Sequence, residues 1–359
     1  MKLRYALIGC GRIAVNHIKA ILINKNIDLV ALCDIDLQQI NILAEKTGLS
    51  LEGINLYSSH KDLLKEEKLD FVGIATDSGS HAKIAIDCLN KKIHVVVEKP
   101  MALSIQDADK MIKIASKNKV KLAVCHQNRF NKVISKLKQT IDKKKMGKIN
   151  YGVANIRWNR NADYYKQASW RGKWATDGGC LMNQCIHNID LLLWMMVSQV
   201  VEVYGCLRNN NHKYNEGEDL GIAILKFKNG SLGVIEGTVD IYEENWEETL
   251  SVFGKNGVVE IGGKSVNKIN LWKIKDSVVG DNCNEAPPNI YGFGHNLLYK
   301  DFVLSIKDKR EPLINGIEGK KALEVILAIY KSHKDGKNVF LPLKSFESTK
   351  MVNSKLNII

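Results

Sequence analysis

Apolar and polar positions follow two rhythms along this chain, and the change falls near residue 147. Before it, short apolar runs alternate with amphipathic stretches of helical period. Residues 3–8 (LRYALI), 27–33, 71–75, 94–97 and 121–125 read as strands, with another short one near Tyr57. Residues 13–22, 37–47, 80–90 and 104–118 read as the helices between them. Strands this apolar are covered on both faces, so the alternation predicts a parallel, doubly wound α/β sheet.

After residue 147 the strand-like segments are 149–158, 200–208, 220–228, 231–241, 247–253 and 257–261. Asn229-Gly230 and Asn256-Gly257 mark hairpins, because Asn-Gly supplies the positive φ that tight turns need. One long apolar helix, about 180–196, interrupts the strands. Helical segments at about 295–307 and 316–335 are expected to pack back across the domains. This half therefore predicts an α+β domain with a large, mainly antiparallel open sheet. At 359 residues the chain is long for one core. The expected domains are 1–125 and 126–359.

Charge changes the picture little. The net charge is +13, from 52 Lys and Arg against 39 Asp and Glu. The lysines are scattered, and the densest run, Lys143-Lys144-Lys145, is short. No helix-turn-helix, zinc-finger or aromatic RNA-binding pattern accompanies them, so no nucleic-acid partner is expected. A solvated Lys-rich surface explains the excess, and an anionic small substrate is compatible with it. The 8 cysteines form no CxxC pair and read as reduced and mostly buried. MKLRYALIGCGRI runs straight into a strand and turn, unlike a signal peptide. The longest apolar run, Leu191 to Val197, is far short of a membrane span, so a cytoplasmic protein with no membrane partner is expected.

The first strand ends in Gly9-Cys10-Gly11-Arg12-Ile13-Ala14, and Asp34 closes the second. A GxGxxA turn between strand and helix, with an acid at the end of the next strand, is the dinucleotide signature of a Rossmann domain. Gly9 permits the turn, Gly11 lets the backbone approach a pyrophosphate, and the helix N-terminus offers free N–H groups. Asp34 favours the ribose hydroxyls of NAD over the phosphate of NADP. Arg12 either assists a phosphate or lies on the surface.

Glu98-Lys99-Pro100 falls at the carboxyl end of a parallel strand, where open α/β sheets bind ligands. A lysine there, shielded from water beside a nicotinamide, can exchange a proton with an alcohol. The second cluster lies within residues 177–190. On a helix, Asn183 and His187 share a face and Asp190 follows three residues on. A polar stripe on so apolar a helix is costly to bury without purpose. His187 is the candidate acid or base, Asp190 its orienting partner and Asn183 a substrate contact. No metal is expected, since no second His or Cys pair has ligand spacing and hydride transfer needs none. The expectation is that Lys99 and His187 converge beside the nicotinamide.

These motifs, GCGRIA, EKP and GGCLMNQCIHNID, in this order and spacing, resemble the glucose–fructose oxidoreductase / inositol dehydrogenase family. The resemblance covers nearly the whole chain. It implies NAD as cofactor and a homo-oligomer, tetramer or dimer, formed through the open sheet. Many polyol dehydrogenases of the family carry Asp where this chain has Asn183. With Gln127-Asn128-Arg129-Phe130-Asn131 and the stretch from Tyr164-Tyr165 to Trp170-Arg171-Gly172, the pattern resembles the UDP-2-acetamido-2-deoxyglucuronate 3-dehydrogenases of lipopolysaccharide and O-antigen biosynthesis.

The cofactor-lining set implied is Gly9, Gly11, Arg12, Ile13, Asp34 and Thr76, joined by His81, Glu98, Lys99, Gln127, Trp170 and Arg171. An anionic nucleotide sugar needs Arg and Lys partners, with Arg129, Arg157 and Arg171 as candidates. Arg171 can instead serve NAD, as a Trp-Arg pair does in relatives. Tyr164 and Tyr165 either stack on the ligand or pack. Asn183, Gln184, Tyr291 and His295 complete the substrate set with Lys99 and His187. The resemblance also implies a cis Lys99–Pro100 bond.

Overall fold

The structure, a computed structural model, describes residues 2–263, 265–275 and 294–356. They fall into two compact units. The first comprises Met1–Ala102, Gln106–Cys125 and His295–Lys320. The second comprises Leu103–Ile105, His126–Gly294 and Lys321–Ile359. The expected split into 1–125 and 126–359 is thus corrected in one respect. The chain returns to the first unit after the second is largely built.

The first unit carries strands β1 (Leu3–Ile8), β2 (Ile27–Cys33), β3 (Asn55–Tyr57), β4 (Phe71–Ile74), β5 (His94–Val97) and β6 (Leu122–Val124). They form a parallel sheet in the order β3-β2-β1-β4-β5-β6. The helices between them are α1 (Ala14–Leu22), α2 (Leu37–Thr47), α3 (His60–Glu66), α4 (His81–Asn90) and α5 (Ile105–Asn118). β4 and most of β5 are buried throughout, as an apolar run covered on both faces should be. The strand order reverses between β1 and β4, the point where open α/β sheets admit ligands.

The second unit adds α6 (Lys132–Asp142), β7 (Ile149–Arg157), α7 (Ala162–Lys166), α8 (Ile186–Met196) and β8 (Val200–Arg208). There follow β9 (Leu220–Phe227), β10 (Leu232–Thr238), β11 (Glu247–Gly254), β12 (Gly257–Gly262) and β13 (Lys268–Ile274). Helices α9 (Gly294–Lys307) and α10 (Gly316–Asp335) precede β14 (Val339–Phe340). The eight-stranded sheet runs β13-β12-β11-β7-β10-β9-β8-β14. Every pairing is antiparallel except β7 with β10. α8 covers one face, packing on β7 and β11. The other face exposes Tyr151, Tyr204, Ile222, Ile224 and Leu232.

The long helix expected over 180–196 is two pieces. Leu181–Cys185 forms a π-helical turn, and α8 begins only at Ile186. Gly221 and Gly237 let this wide turn press on the sheet, since a Cβ at either would come 2.6 Å from Leu181. No described helix is long and apolar enough to cross a membrane.

Candidate active site

Sheet register assembles the first half of the site. Ile8, Cys33, Ile74, Val97 and Val124 are successive partners across β2-β1-β4-β5-β6. The residues that follow them therefore share the carboxyl edge of one sheet: Gly9, Asp34, Ala75, Glu98 and Cys125. Gly9 has φ +94°, and a Cβ there would come 2.5 Å from the Ala75 carbonyl carbon. Only glycine satisfies both demands. A Cβ on Gly11 would meet no protein atom. α1 starts with no side-chain cap and no acid in its first turn, so no carboxylate competes there with an anion for the helix end. The Ala14 and Asn16 N–H groups already bond to the Gly11 and Ile13 carbonyls.

Asp34 ties the two loops together. Its Oδ2 accepts the Cys10 N–H at 2.7 Å and its Oδ1 the Asp36 N–H at 3.0 Å. A carboxylate keeps further lone pairs for a ribose. Arg12 is exposed and Ile13 half-buried beside the turn. Thr76 turns its hydroxyl to the Asp77 carbonyl.

Beneath Lys99 lies a buried hydrogen-bonded chain that sequence reasoning missed. The Tyr5 and Tyr299 hydroxyls are 2.8 Å apart, and Tyr299 is 2.6 Å from His17 Nδ1. His17 Nε2 is 3.0 Å from Glu98 Oε1, and His295 Nε2 is 3.4 Å from the same oxygen. Burial pushes the Glu98 carboxyl up, but the hydrogen bonds from His17 and His295 outweigh it and hold the group well below its ordinary range. Burial pushes His17 down, so it is neutral. A carboxylate only accepts, so His17 carries its proton on Nε2 and its Nδ1 accepts from Tyr299. Glu98 Oε2 accepts the Lys99 N–H at 3.2 Å. The Lys99–Pro100 bond is cis.

His81, expected against the cofactor, has Nδ1 2.8 Å from the Pro100 carbonyl and Nε2 3.2 Å from that of Thr76. Burial pushes it toward the neutral form, whose single N–H can donate to only one of the two. Glu98 gives Oε1 to His17 and His295 and Oε2 to the Lys99 N–H. His295, expected among the substrate residues, is thus a partner of Glu98. Tyr291 lies outside the described residues.

The second unit carries His187 at the start of α8. Within 181–190 only Gln184 and His187 are not buried. The π turn breaks the expected four-residue pairing. Asn183 is buried and donates to Asp177, while Gln184 shares partial exposure with His187. π turns of this kind often mark functional positions. His126, buried in the preceding segment, meets His187 edge to face with ring centres 5.8 Å apart. It too was missed, because 61 residues of sequence separate the pair. Gln127 is 2% exposed in the turn after it.

Arg129 and Arg157 require correction as substrate ligands. Arg129 is fully buried and forked onto Asp190, at 2.8 and 2.7 Å. Asp190, expected to orient His187, thus has both carboxylate oxygens on Arg129. Arg157 is held by Glu236 at 2.7 Å and Glu247 at 2.8 Å on the neighbouring strands. Both charges are neutralised inside the protein.

Tyr165 packs, with ring contacts at 5.2 Å to Tyr164 and 5.8 Å to His212 and Tyr214. Tyr164 is different. Its hydroxyl accepts from Gln184 Nε2 at 2.9 Å and from Arg171. Arg171 also lies 4.7 Å from the centre of the Trp170 ring.

A parallel sheet with this turn, an uncapped helix end and Asp34, and with a lysine on the same edge, is the framework of an NAD-dependent oxidoreductase. The GFO/IDH/MocA family model, described as an oxidoreductase family with an NAD-binding Rossmann fold, matches residues 3–126. The GFO/IDH/MocA C-terminal domain matches 134–260. The chain belongs to the GFO/IDH/MocA family.

Among solved structures, the WlbA dehydrogenase from Bordetella pertussis, in complex with NADH and UDP-GlcNAcA, is 35% identical with a TM-score of 0.86. The match covers 96% of this chain and 100% of that one. The WlbA protein of Chromobacterium violaceum, with the same ligands, is 36% identical with a TM-score of 0.87, covering 96% and 97%. Among curated proteins, myo-inositol 2-dehydrogenase of Thermotoga maritima is 26% identical over 94% of this chain and 98% of its own. The chain is an NAD-dependent sugar oxidoreductase.

Proposed function

We propose that this enzyme oxidises the C3 hydroxyl of UDP-2-acetamido-2-deoxy-D-glucuronate to the 3-keto sugar, a step in building lipopolysaccharide sugars. The observation that carries this reading is the likeness, over nearly the whole chain, to two dehydrogenases described with UDP-GlcNAcA. Residues of the first unit fit the cofactor. Gly9 and Gly11 with the open end of α1 hold the pyrophosphate, and Asp34 the adenosine ribose. When bound, NAD supplies a hydride acceptor. Lys99 or His187 takes the hydroxyl proton of the substrate, and Glu98 keeps the Lys99 backbone in place. The exposed apolar face of the eight-stranded sheet supports a homo-oligomer, dimer or tetramer, which sedimentation would measure. We place the enzyme in the cytoplasm.

The test is NADH formation with UDP-GlcNAcA, UDP-GlcNAc, myo-inositol and free pyranoses. The expected result is turnover of UDP-GlcNAcA at a kcat/KM well above the others. Lys99→Met and His187→Ala should each lower kcat by about 10²–10⁴ with the cofactor still bound. Near-normal turnover in both variants would reject these roles. The relation to myo-inositol 2-dehydrogenase favours a second reading, oxidation of a cyclic polyol. Preferred turnover of myo-inositol would establish it instead.

A further inference from the structure

Arg160 and Arg171 stand on one tyrosine, and neither has a carboxylate within ion-pair distance among the described residues. The Arg160 guanidinium lies 4.5 Å from the Trp158 ring centre and 5.1 Å from that of Tyr164. The Arg171 guanidinium lies 4.2 Å from Tyr164 and 4.7 Å from Trp170. Stacking on aromatic rings holds a guanidinium in one plane and leaves its edge for a planar or tetrahedral oxyanion.

Gln184 locks the group. Arg160 Nε donates to Gln184 Oε1 at 2.9 Å, and Gln184 Nε2 donates to the Tyr164 hydroxyl at 2.9 Å. Arg160 Nη1 is spent on the Asn159 carbonyl and Asn245 Oδ1. Arg171 Nη1 reaches Tyr164, but its buried Nε has no hydrogen-bond partner.

Neither arginine is in an ion pair with a carboxylate among the described residues. Glu248 interacts electrostatically with Arg160, and burial, opposed by a hydrogen bond from Asn188, pushes that carboxyl up to about 8. At neutral pH it is mostly protonated and does not balance the arginine. Two like charges sharing one ring repel, and a buried N–H without a partner is costly. An arriving oxyanion relieves both. Gln184 sits one helical turn before His187, and these two are the only residues of 181–190 that are not buried. The anion site therefore lies beside the candidate proton-transfer group.

We infer that Arg160 and Arg171, organised by Tyr164 and Gln184, form a receptor for an oxyanion of the substrate, the carboxylate or phosphate of a charged sugar. This rests on the reading that an anionic UDP-sugar is oxidised beside His187, and it assigns the residues that hold one of that sugar's oxyanions.

The test is calorimetric binding of two probes to the NADH-loaded enzyme. Glucuronate carries only the carboxylate and UDP only the phosphates. Wild type, Arg160→Gln, Arg171→Gln and the two Lys variants are compared, with NAD affinity and melting temperature measured alongside. The expected result is a loss of about tenfold or more for one probe in both Gln variants. The Lys variants should recover part of it, and NAD affinity should hold. The probe that is lost identifies the oxyanion.

Unchanged binding of both probes overturns the receptor. So does a wild type that binds neither. A matching loss of NAD affinity in Arg171→Gln overturns it too, by assigning that arginine to the cofactor. If the arginines bind a probe but no UDP-sugar is oxidised, the substrate proposed above fails and the receptor stands. If a UDP-sugar is oxidised with unchanged KM in the Gln variants, the receptor fails and the substrate stands.

Discussion

On the assignment proposed above, the two units recognise ligands by different means. In the first, the features that fit a dinucleotide are backbone features: a glycine turn, an uncapped helix end and a carboxyl edge fixed by strand register. Side chains contribute mainly Asp34 and Lys99. In the second unit the sheet is only a platform, and the proposed recognition rests on side chains tied to one another across long stretches of sequence. Backbone devices are specified by a few local residues, so they survive extensive change elsewhere. A side-chain cluster depends on every partner, and so it can be retuned from one sugar to another.

The strongest way to break this contrast is to attack a long-range pair in the second unit. Asp190→Ala removes the carboxylate forked onto the buried Arg129 guanidinium. It should cost about 3–5 kcal/mol of stability, read by denaturant unfolding. A loss below about 1 kcal/mol would mean that the pair is not what holds this region. A paired substitution sharpens the first-unit side. Gly9→Ala drives a Cβ into the Ala75 backbone and should lower both stability and NAD affinity. Gly11→Ala meets no protein atom, so stability should hold within about 0.5 kcal/mol while NAD affinity falls. Equal melting temperatures for the two variants would contradict the assignment.

The smallest effect expected is one of slope. Burial pushes the Glu218 carboxyl up to about 8, against roughly 4.3 for an unfolded glutamate. The folded state therefore holds a proton that the unfolded state releases, and stability falls as pH rises through that window. Glu218→Gln keeps an acceptor for the Leu181 N–H and the Tyr330 hydroxyl. Its melting temperature should fall less between pH 6 and 9 than that of the wild type. Parallel curves would show that Glu218 does not titrate there.

The same contrast sets what could be read from the amino-acid sequence. The parallel strands and four of their five helices were legible almost to the residue, because period and turn chemistry are local; the short α3 was not predicted. Asp34 and Lys99 followed from their strand ends. The partners of Arg129 and Arg157 were not legible, being 61, 79 and 90 residues away. Nor was the π turn, which requires contact between Leu181 and the glycines of β9 and β10. The parallel pairing of β7 with β10 was equally hidden, since α7, α8, β8 and β9 lie between the two strands in sequence. Arg160 carried a faint signal in the Trp158, Arg160 and Tyr164 series, where aromatic residues interleave with a cation. His17 carried none.

Residues 295–320 bear on how the nucleotide-binding half is made. They supply Tyr299 and His295 to the chain under Lys99, and Ile314 accepts a hydrogen bond from Val124 at 3.0 Å. Gly319 lets α10 lie against Val124. On the ribosome, the first half of this protein therefore waits for nearly the last tenth of the message before its interior can close. A recombinant fragment stopping near Cys125 would lack its own floor.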